Sequence, residues 1–182
     1  MEYFTSDLHL NHKNIVGPKI SNWERGYREF SSIEEMNNVI IDGINQRVQE
    51  DDELFILGDF CYGAEKDVIN ARRALYCKKV HLILGNHDQI FLKPRTKHLQ
   101  GLFYSVSDRK NIVIDKQLII LDHFAKRVWR GSQKGSWHLY GHSHGHLPGL
   151  GKSMDVGIDT KKYFPYSYLE IKEILNSREN ES

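Results

Sequence analysis

The residues of this 182-residue chain that could bind metal or move protons are concentrated in five short segments. Ten histidines are present, and several of them stand beside Asp or Gly. The segments are Asp7-Leu8-His9, Gly58-Asp59, Gly85-Asn86-His87-Asp88, Asp122-His123 and Gly141-His142-Ser143-His144. Carboxylate, amide and imidazole donors without a thiolate favour Mn, Fe or Zn type ions at a reactive site over a closed structural zinc site.

Two pairs of these donors are spaced two residues apart. Side chains at positions i and i+2 of an extended chain point to the same side, so Asp7 and His9 can face one ion together, as can His142 and His144. Two divalent ions about 3.5–4 Å apart generate a bridging hydroxide near neutral pH and clamp a phosphate for in-line attack. The seven or so ligands that such a pair needs are supplied by the five segments.

The remaining donors suit separate roles. Asp59 is a candidate bridge between two ions because a carboxylate has two oxygens, and Asn86 offers an amide oxygen, a ligand that suits hard cations. His87 and Asp88 are then left over. An imidazole oriented by a carboxylate is a suitable proton donor to a leaving alkoxide, so we expect these two residues to form the catalytic pair.

Each segment taken alone is weak evidence. An isolated Asp-x-His or His-x-His is more often a polar strand edge, and Gly-Asp after a strand is usually only a turn. Gly85-Asn86-His87-Asp88 is more specific, because a turn between apolar runs does not require three consecutive polar side chains. The occurrence of all five segments in this order makes coincidence a poor explanation.

Short apolar runs precede the reactive segments and are predicted to be strands. The runs comprise residues 3–5, 53–57 and 80–84, and in the second half of the chain 111–115, 117–121, 137–140 and 154–157. Ligands of open α/β sheets collect at the carboxyl ends of strands. We therefore expect the reactive turns to meet at one edge of the sheet.

Helical periodicity predicts three helices. The first, from Ile33 to Gln49, follows a capping box of Ser32 and Glu35, the second runs from Glu65 to Tyr76, and the third, capped by Ser167 and Glu170, runs from Tyr168 to Asn176. A polar segment with Gly17, Pro18 and Gly26 is predicted to be a loop. Alternating helices and strands first and successive strands later predict an α/β fold with two sheets face to face and helices outside.

The bulk composition is that of one ordinary globular domain, which we assign to residues 1–176, followed by a polar tail of residues 177–182. A formal charge of +1 gives no global attraction to nucleic acid or membrane, and no apolar run approaches the length of a membrane span. Cys61 and Cys77 have no metal or redox spacing and are interpreted as free thiols, so we expect a cytoplasmic location.

The ordered motifs from Asp7 to His144 resemble those of the calcineurin-like metallophosphoesterase superfamily. The surrounding residues resemble its small single-domain bacterial and phage-type members most, in residues 5–15, 57–60 and 135–145. The resemblance implies a four-layer α/β/β/α sandwich of two mixed β-sheets flanked by helices, with two divalent ions at the sheet edge. Mn is the expected ion, with Fe, Zn, Ni and Co as alternatives.

The resemblance also implies a role for each site residue. Of seven implied metal ligands, one ion would be held by Asp7, His9 and His144. The other ion would be held by Asn86, His123 and His142, and Asp59 would bridge the two. His87, backed by Asp88, would act on the substrate.

Two departures from the superfamily narrow the function. Its Ser/Thr protein phosphatases carry Asp-Arg-Gly soon after the second motif and Gly-Asn-His-Glu at the third, whereas this chain has Phe60-Cys61-Tyr62-Gly63 and Gly-Asn-His-Asp. A protein phosphatase is therefore disfavoured. The chain is also too short for the added capping or DNA-recognition domains of the large nucleases and nucleotidases, so we expect an open site and a modest-sized or flexible substrate.

Residues outside the five segments have two interpretations each. His12 could contact the substrate phosphate or be a solvated loop histidine. Arg127 could bind a phosphate oxygen or belong to a surface loop, and the resemblance favours binding. The basic run of Lys93, Arg95, Lys97 and His98 is either a solvated surface or a nucleic-acid patch. His81, His138, Asp155 and Asp159 are predicted to be structural.

The leading hypothesis is a metal-dependent hydrolase of phosphate esters that prefers phosphodiesters to phosphomonoesters. The preference rests on the scarcity of cations near the motifs that could neutralise a terminal dianion. A nucleotide or cyclic nucleotide is a candidate substrate, and no membrane partner is expected. The alternatives are a noncatalytic metal-binding scaffold that kept the fold and a nuclease or end-processing enzyme that acts on nucleic acid. The oligomeric state is left open.

Overall fold

The computed structural model describes residues 1–17 and 27–178. The predicted loop at Pro18 and Gly26 and the last residues of the predicted tail, 179–182, lie outside the described residues. The described part contains two β-sheets and three α-helices. No helix within it is both long and apolar enough to span a membrane.

The first sheet has the strand order β4-β3-β2-β1-β9. Its strands are β1 (Glu2–Thr5), β2 (Glu53–Ile56), β3 (Lys79–Ile83), β4 (Ser105–Ser107) and β9 (Tyr166–Ser167). Strands β1 to β4 run parallel to one another, and β9 pairs antiparallel with β1. The carboxyl ends of β1, β2 and β3 therefore meet at one edge, as expected for parallel neighbours.

The second sheet has the order β5-β6-β7-β8. Its strands are β5 (Arg109–Ile114), β6 (Gln117–Asp122), β7 (Trp137–Tyr140) and β8 (Ser153–Asp155). The β5–β6 hairpin is antiparallel, and β6, β7 and β8 run parallel to one another. Both sheets are thus mixed, and the reactive segments after β6 and β7 leave the second sheet at the same end.

Two helices cover the outer face of the first sheet. They are α1 (Ile33–Arg47) and α2 (Glu65–Ala74). Their apolar residues pack on Leu54, Ile56 and Leu82 of the strands in one buried cluster. The alternate strand residues, such as Phe4 and Phe55, face the other way and stack with ring centroids 5.2 Å apart.

The core between the sheets is a second apolar cluster. It contains Phe55 from the first sheet and Leu121 and Trp137 from the second. The third helix, α3 (Tyr168–Asn176), adds Ile171 and Leu175 to the same cluster. This core fixes the two sheets against each other, and with them the loops that carry the reactive residues.

The fold prediction is confirmed: the chain forms two mixed sheets flanked by helices. The first two helices end two residues earlier than predicted because Val48 and Leu75 adopt extended backbone. Asn45 fixes the second end by donating to the Ala74 carbonyl and accepting from Tyr76 N–H. Strands β4 and β9 were not predicted, because one is short and polar and the other has two residues.

The capping predictions are borne out only in part. The Ser167–Glu170 box at α3 is present in both directions. At α1 the Ser32 hydroxyl accepts from Glu35 N–H at 3.0 Å, but the Glu35 carboxylate bonds Ser31 instead of completing the box.

Candidate metal centre

The five reactive segments converge at one edge of the sandwich. They follow β1, β2, β3, β6 and β7, so both sheets contribute to the site. Two groups of side chains place ligand atoms within 4.8 Å of one another. The first cluster is Asp7, His9 and His144, and the second cluster is Asp59, His123 and His142.

The backbone reason that we gave for pairing these residues is wrong. Strands β1 and β7 end at Thr5 and Tyr140, before the reactive residues begin. Asp7, His9, His142 and His144 all have positive φ, between 47° and 65°, and Asp59 has φ 55°. These are left-handed conformations, so the loops do not continue the extended alternation. His142 and His144 are also divided between the two clusters instead of serving one ion.

The first cluster is buried and surrounds a small common space. His9 Nε2 and His144 Nε2 each lie 3.9 Å from Asp7 Oδ1. Asp7 Oδ1 and His9 Nε2 have no hydrogen-bond partner among the described residues. Buried polar atoms are nearly always satisfied. A divalent cation would satisfy both of these atoms, so the residues present fit a metal ion.

The second cluster is joined by Asn86. Its Oδ1 lies 3.0 Å from His123 Nε2, and Asp59 Oδ2 lies 3.5 Å from the same nitrogen. The His142 ring is exposed and lies 5.2 Å from the His123 ring, centroid to centroid. The structure therefore brings together all four residues that the resemblance assigned to the second ion and the bridge.

Outer hydrogen bonds fix the tautomers of two histidines. His123 Nδ1 lies 2.7 Å from the Leu57 carbonyl oxygen, and His144 Nδ1 lies 2.7 Å from Asp159 Oδ2. Both partners only accept, so each Nδ1 carries the hydrogen and each neutral Nε2 keeps its lone pair. The His123 lone pair then faces Asn86 Oδ1, which is another acceptor. Convergent lone pairs of this kind are the arrangement that a cation satisfies.

Asp59 stands between the two clusters. Its Oδ2 lies 3.5 Å from His9 Nε2 and 3.5 Å from His123 Nε2. Its Oδ1 accepts the His87 backbone N–H at 2.8 Å. Asp7 has the same division, because its Oδ2 accepts the His142 N–H at 2.9 Å while Oδ1 faces the first cluster. Each carboxylate thus ties a neighbouring loop with one oxygen and leaves the other for the centre.

The loops can approach this closely because they contain glycine at two contact points. A Cβ on Gly141 would collide with the Ser6 hydroxyl and the Asp7 carboxylate. Gly58, at φ 100°, lies against the His123 ring, where a Cβ would overlap Nδ1. Close packing therefore requires glycine at both positions, and at Gly58 the positive φ favours glycine as well.

The Asp88 carboxylate is hydrogen-bonded to the backbone of two loops and not to the His87 ring within the described residues. This buried carboxylate accepts the N–H groups of Asp59 at 2.8 Å, Gly85 at 2.8 Å and Phe60 at 3.1 Å. No hydrogen bond joins Asp88 to His87 within the described residues. The carboxylate instead ties the loop after β2 to the loop after β3, and so positions Asp59. The expected catalytic pair is not formed in this structure.

Arg28 and Asp159 support the first cluster and were not predicted to take part in the site. Arg28 is 2% exposed and donates to the carbonyls of Asp7 at 2.6 Å and Leu8 at 2.8 Å. It also forms two hydrogen bonds with Asp159, which in turn accepts from His144 Nδ1. The sequence offered only a general reason to look for Asp159: a histidine that binds metal through one nitrogen needs a hydrogen-bond acceptor for the other.

The other three residues that were predicted to be structural, Asp155, His138 and His81, make hydrogen bonds or ring contacts within the fold. Asp155 accepts from Ser143 Oγ at 2.6 Å and Gly145 N–H at 2.8 Å, which holds the loop that carries His142 and His144. His138 Nδ1 lies 3.1 Å from the Ile120 carbonyl oxygen, and His81 stacks on Phe55.

His12 lies against His9 instead of in open solvent. Its Nδ1 is 3.1 Å from His9 Nδ1, and its ring stacks on Tyr62 with an interplanar angle of 8°. A His9 ring that ligates through Nε2 carries its hydrogen on Nδ1 and donates it to His12. The centroid of the His87 ring lies 5.5 Å from that of His12.

Arg127 is exposed and lines a different cavity. This cavity, of about 470 Å³, is bordered by Tyr140 and Leu147 and by none of the predicted metal ligands. Of the basic run, Lys93 lines a cavity beside His87, and His98 lies 3.2 Å from Glu65. The structure thus brings Lys93 nearer to the site than its place in the sequence suggested.

Burial sets the charge state of the first cluster. It raises the pKa of Asp7 to about 6 and holds the pKa of His9 well below its usual value. Burial also lowers the pKa of His144, but the hydrogen bond to Asp159 and the negative charges of Asp7 and Asp159 together outweigh burial, so the pKa of that imidazole is raised. At neutral pH the Asp7 carboxylate is therefore ionised and His9 is neutral, which are the forms that bind metal.

The chain belongs to the calcineurin-like phosphoesterase family, whose model matches residues 3–162. This span contains both clusters, Asn86 and the His87 loop. The protein is therefore a metal-dependent phosphoesterase, and its two sheets and two donor clusters are consistent with that assignment.

Individual relatives extend over most of the chain. It is 30% identical over 174 residues to the uncharacterized protein MJ1445 of Methanocaldococcus jannaschii, with 91% of this chain and 85% of that protein covered. The Gene 66 protein of Mycobacterium phage L5 is 26% identical over 166 residues, covering 78% and 76% of the two chains. The crystal structure of AQ665 from Aquifex aeolicus, a protein of unknown function, superposes with a TM-score of 0.70 at 22% identity, covering 96% and 98%, and shows the same fold.

Proposed function

We propose that this phosphoesterase is a phosphodiesterase that uses two divalent ions, with Mn as the working metal. One ion would be held by Asp7, His9 and His144. Asn86, His123 and His142 would hold the other, and Asp59 would serve both. When bound, the ions would lower the pKa of water and neutralise charge on the substrate phosphate.

The observation that carries this proposal is the position of Asp59 Oδ2. It lies 3.5 Å from a ligand nitrogen of each cluster, His9 Nε2 and His123 Nε2. The other oxygen is held by the His87 N–H. A single oxygen between the clusters favours a shared ligand through Oδ2, whereas we expected both oxygens to take part.

His87 is suited to act on the leaving group. Its ring is exposed at the rim of the centre, and its centroid lies 5.3 Å from that of His9. The backbone bond from His87 to Asp59 fixes this residue relative to the shared carboxylate. An imidazole placed there can hold or give up a proton at the departing oxygen, a role worth about 10²–10⁴-fold in rate.

The diester preference rests on the shortage of free cations at the clusters among residues 1–17 and 27–178. Arg28, the guanidinium beside Asp7, is buried and saturated by Asp159 and two backbone carbonyls. It cannot contact a substrate in this arrangement. A phosphodiester carries a single negative charge, so it needs less compensating positive charge from the site than the terminal dianion of a phosphomonoester. His12 remains a proposed substrate contact from beside His87, and Arg127 a proposed contact only for a substrate that extends to its separate cavity.

The test is hydrolysis of bis-p-nitrophenyl phosphate and p-nitrophenyl phosphate by purified protein loaded with Mn. We expect the diester to be cleaved more efficiently, and we expect Asp59→Asn to abolish turnover because the amide cannot serve two ions. Asp115→Asn is the matched control, since Asp115 is exposed and its only described ion pair is with Lys172. Full turnover in Asp59→Asn, or no cleavage of either ester by the wild-type protein, would refute the proposal.

A further inference from the structure

A cavity adjoins the metal centre on the side of His87. It has a volume of about 310 Å³ and shares Asn86 and His87 with the centre. Its remaining lining residues are Cys61, Tyr62, Gly63, Gln89, Ile90 and Lys93. A volume of about 300 Å³ is at the lower end of the range found for small-molecule sites. The cavity is thus large enough for a group of nucleoside size.

One wall of this cavity is an aromatic ring with a fixed position. Tyr62 is 47% exposed, and one face of its ring stacks on His12 with centroids 4.5 Å apart. Its backbone N–H donates to the Leu10 carbonyl at 2.7 Å. The His87 ring centroid lies 6.0 Å from that of Tyr62. An exposed ring held in this way loses little conformational entropy when a flat ligand stacks on it.

Other lining residues of the cavity supply polar groups. Lys93 is exposed, and within the described residues its ammonium has no ion-pair partner. Gln89 has its amide nitrogen 3.5 Å from the Asn86 carbonyl, which leaves its amide oxygen available. A ring, an amide and a free cation together match a heteroaromatic base attached to an anionic group.

We propose that this cavity, the Tyr62–Lys93 subsite, binds the leaving nucleoside of a phosphodiester, with a further phosphate of that nucleoside against Lys93. This inference rests on the proposed phosphodiesterase activity and names its substrate class. Hydrolysis breaks the bond between phosphorus and the nucleoside oxygen, water supplies the new oxygen on phosphorus, and a proton ends on the departing hydroxyl. His87 borders both the centre and the subsite, so the departing oxygen lies on the subsite's side.

The experiment compares three diesters of thymidine 3′-phosphate with the Mn-loaded protein. In the first the leaving alcohol is methanol, in the second it is thymidine, and in the third it is thymidine with its own 3′-phosphate. Products are measured by chromatography. The assay therefore needs no chromophoric leaving group, which could itself bind in the subsite. The variants are Tyr62→Ala, Tyr62→Phe, Lys93→Gln and, as a matched control in the same basic run outside the cavity, Lys97→Gln.

We expect the two thymidine leaving groups to be cleaved about 5- to 100-fold more efficiently than methanol, the range for one stacked base. Tyr62→Ala should remove this advantage while Tyr62→Phe retains it. Lys93→Gln should lower efficiency only for the diester with the additional phosphate, and high salt should do the same. Lys97→Gln should behave like the wild-type protein.

Equal cleavage of the methyl and thymidine diesters by the wild-type protein would overturn the subsite. An equal loss on all three diesters in Tyr62→Ala would also overturn it, because Tyr62 would then act through His12. A direct measurement separates this inference from the proposed activity: calorimetric binding of thymidine 3′-phosphate, the leaving product of the third diester. Binding that is weakened by Tyr62→Ala and Lys93→Gln would support the subsite even if bis-p-nitrophenyl phosphate is not cleaved, and binding unchanged by both substitutions would overturn it.

Discussion

Arg28 and Asp159, separated by 131 residues, form a two-point ion pair behind the first cluster. The Nε–Oδ1 and Nη2–Oδ2 distances are 2.7 and 2.8 Å. The same Oδ2 accepts from His144 Nδ1 at 2.7 Å. Two residues that bind no metal therefore determine which nitrogen of His144 faces the centre. Carboxylates that orient ligand histidines in this way tune metal affinity.

Asp159→Asn should weaken binding of the first metal ion by about 10- to 100-fold, the usual effect of removing such a partner. The amide can still accept from His144, but it no longer has the charge that favours the correct tautomer and neutralises Arg28. Titration of the metal-free protein with Mn in a calorimeter measures the change. Asp115→Asn controls for the lost negative charge, and equal affinity in the two variants would contradict the prediction.

Arg28→Met should destabilise the protein by about 3–5 kcal/mol, because it leaves the Asp159 charge without its main partner in a mostly buried position. Urea unfolding of the metal-free protein gives this free energy. The double variant Arg28→Met with Asp159→Asn should recover part of the loss, since the isolated charge is then absent. A double variant less stable than the sum of the two single changes would show that this explanation is wrong.

His87→Ala and Asp88→Ala should impair different properties of the protein: the first its turnover, the second its stability and metal binding. His87→Ala should keep Mn bound while slowing turnover by about 10²–10⁴-fold. Asp88→Ala leaves the N–H groups of Asp59, Phe60 and Gly85 without their acceptor, so it should lower stability by at least about 1–3 kcal/mol and weaken metal binding. Metal content, thermal unfolding and turnover are measured on both variants. Loss of metal in His87→Ala would mean that His87 is a ligand.

Metal affinity should fall as the pH is lowered from 8 to 5. Burial raises the pKa of Asp7 to about 6. Burial lowers the pKa of His144, but the hydrogen bond to Asp159 and the charges of Asp7 and Asp159 together raise it above its usual value. Both groups must lose a proton to bind metal, so below their pKa values each adds up to a tenfold loss of affinity per pH unit. Mn titrations in buffers of different ionisation enthalpy report the protons released. A dissociation constant that is the same at pH 5.5 and pH 7.5 would contradict this.

The convergence of the candidate ligand residues could be predicted from the sequence because they follow apolar strands in short, distinctive segments. The strands end at one edge, so Asp7, Asp59 and Asn86 were expected to lie near one another. Asp7 and Asp59 both approach His9 Nε2, and Asn86 approaches His123. The local conformations could not be predicted in the same way. Alternation was assumed beyond the ends of β1 and β7, where the backbone instead adopts positive φ.

The contacts that support the site from residues distant in sequence could not be predicted for a different reason. Arg28 lies in a polar segment without periodicity, and nothing local indicates that its guanidinium is buried against Asp159. Asp88 stands next to His87 and was expected to orient it, yet three backbone N–H groups from two loops use its carboxylate. Such partners are decided by how the loops pack, which one-dimensional spacing does not encode.

The positive φ angles at Asp7, His9, Asp59, His142 and His144 have a consequence for redesign of this chain. Left-handed backbone costs about 1–2 kcal/mol for most residues and little for glycine. A procedure that optimised only the folding free energy would replace these five positions with glycine, and in doing so would delete five of the seven proposed metal ligands. Thermostable variants should therefore be sought in the helices and the two cores, while these five residues with left-handed backbone are kept.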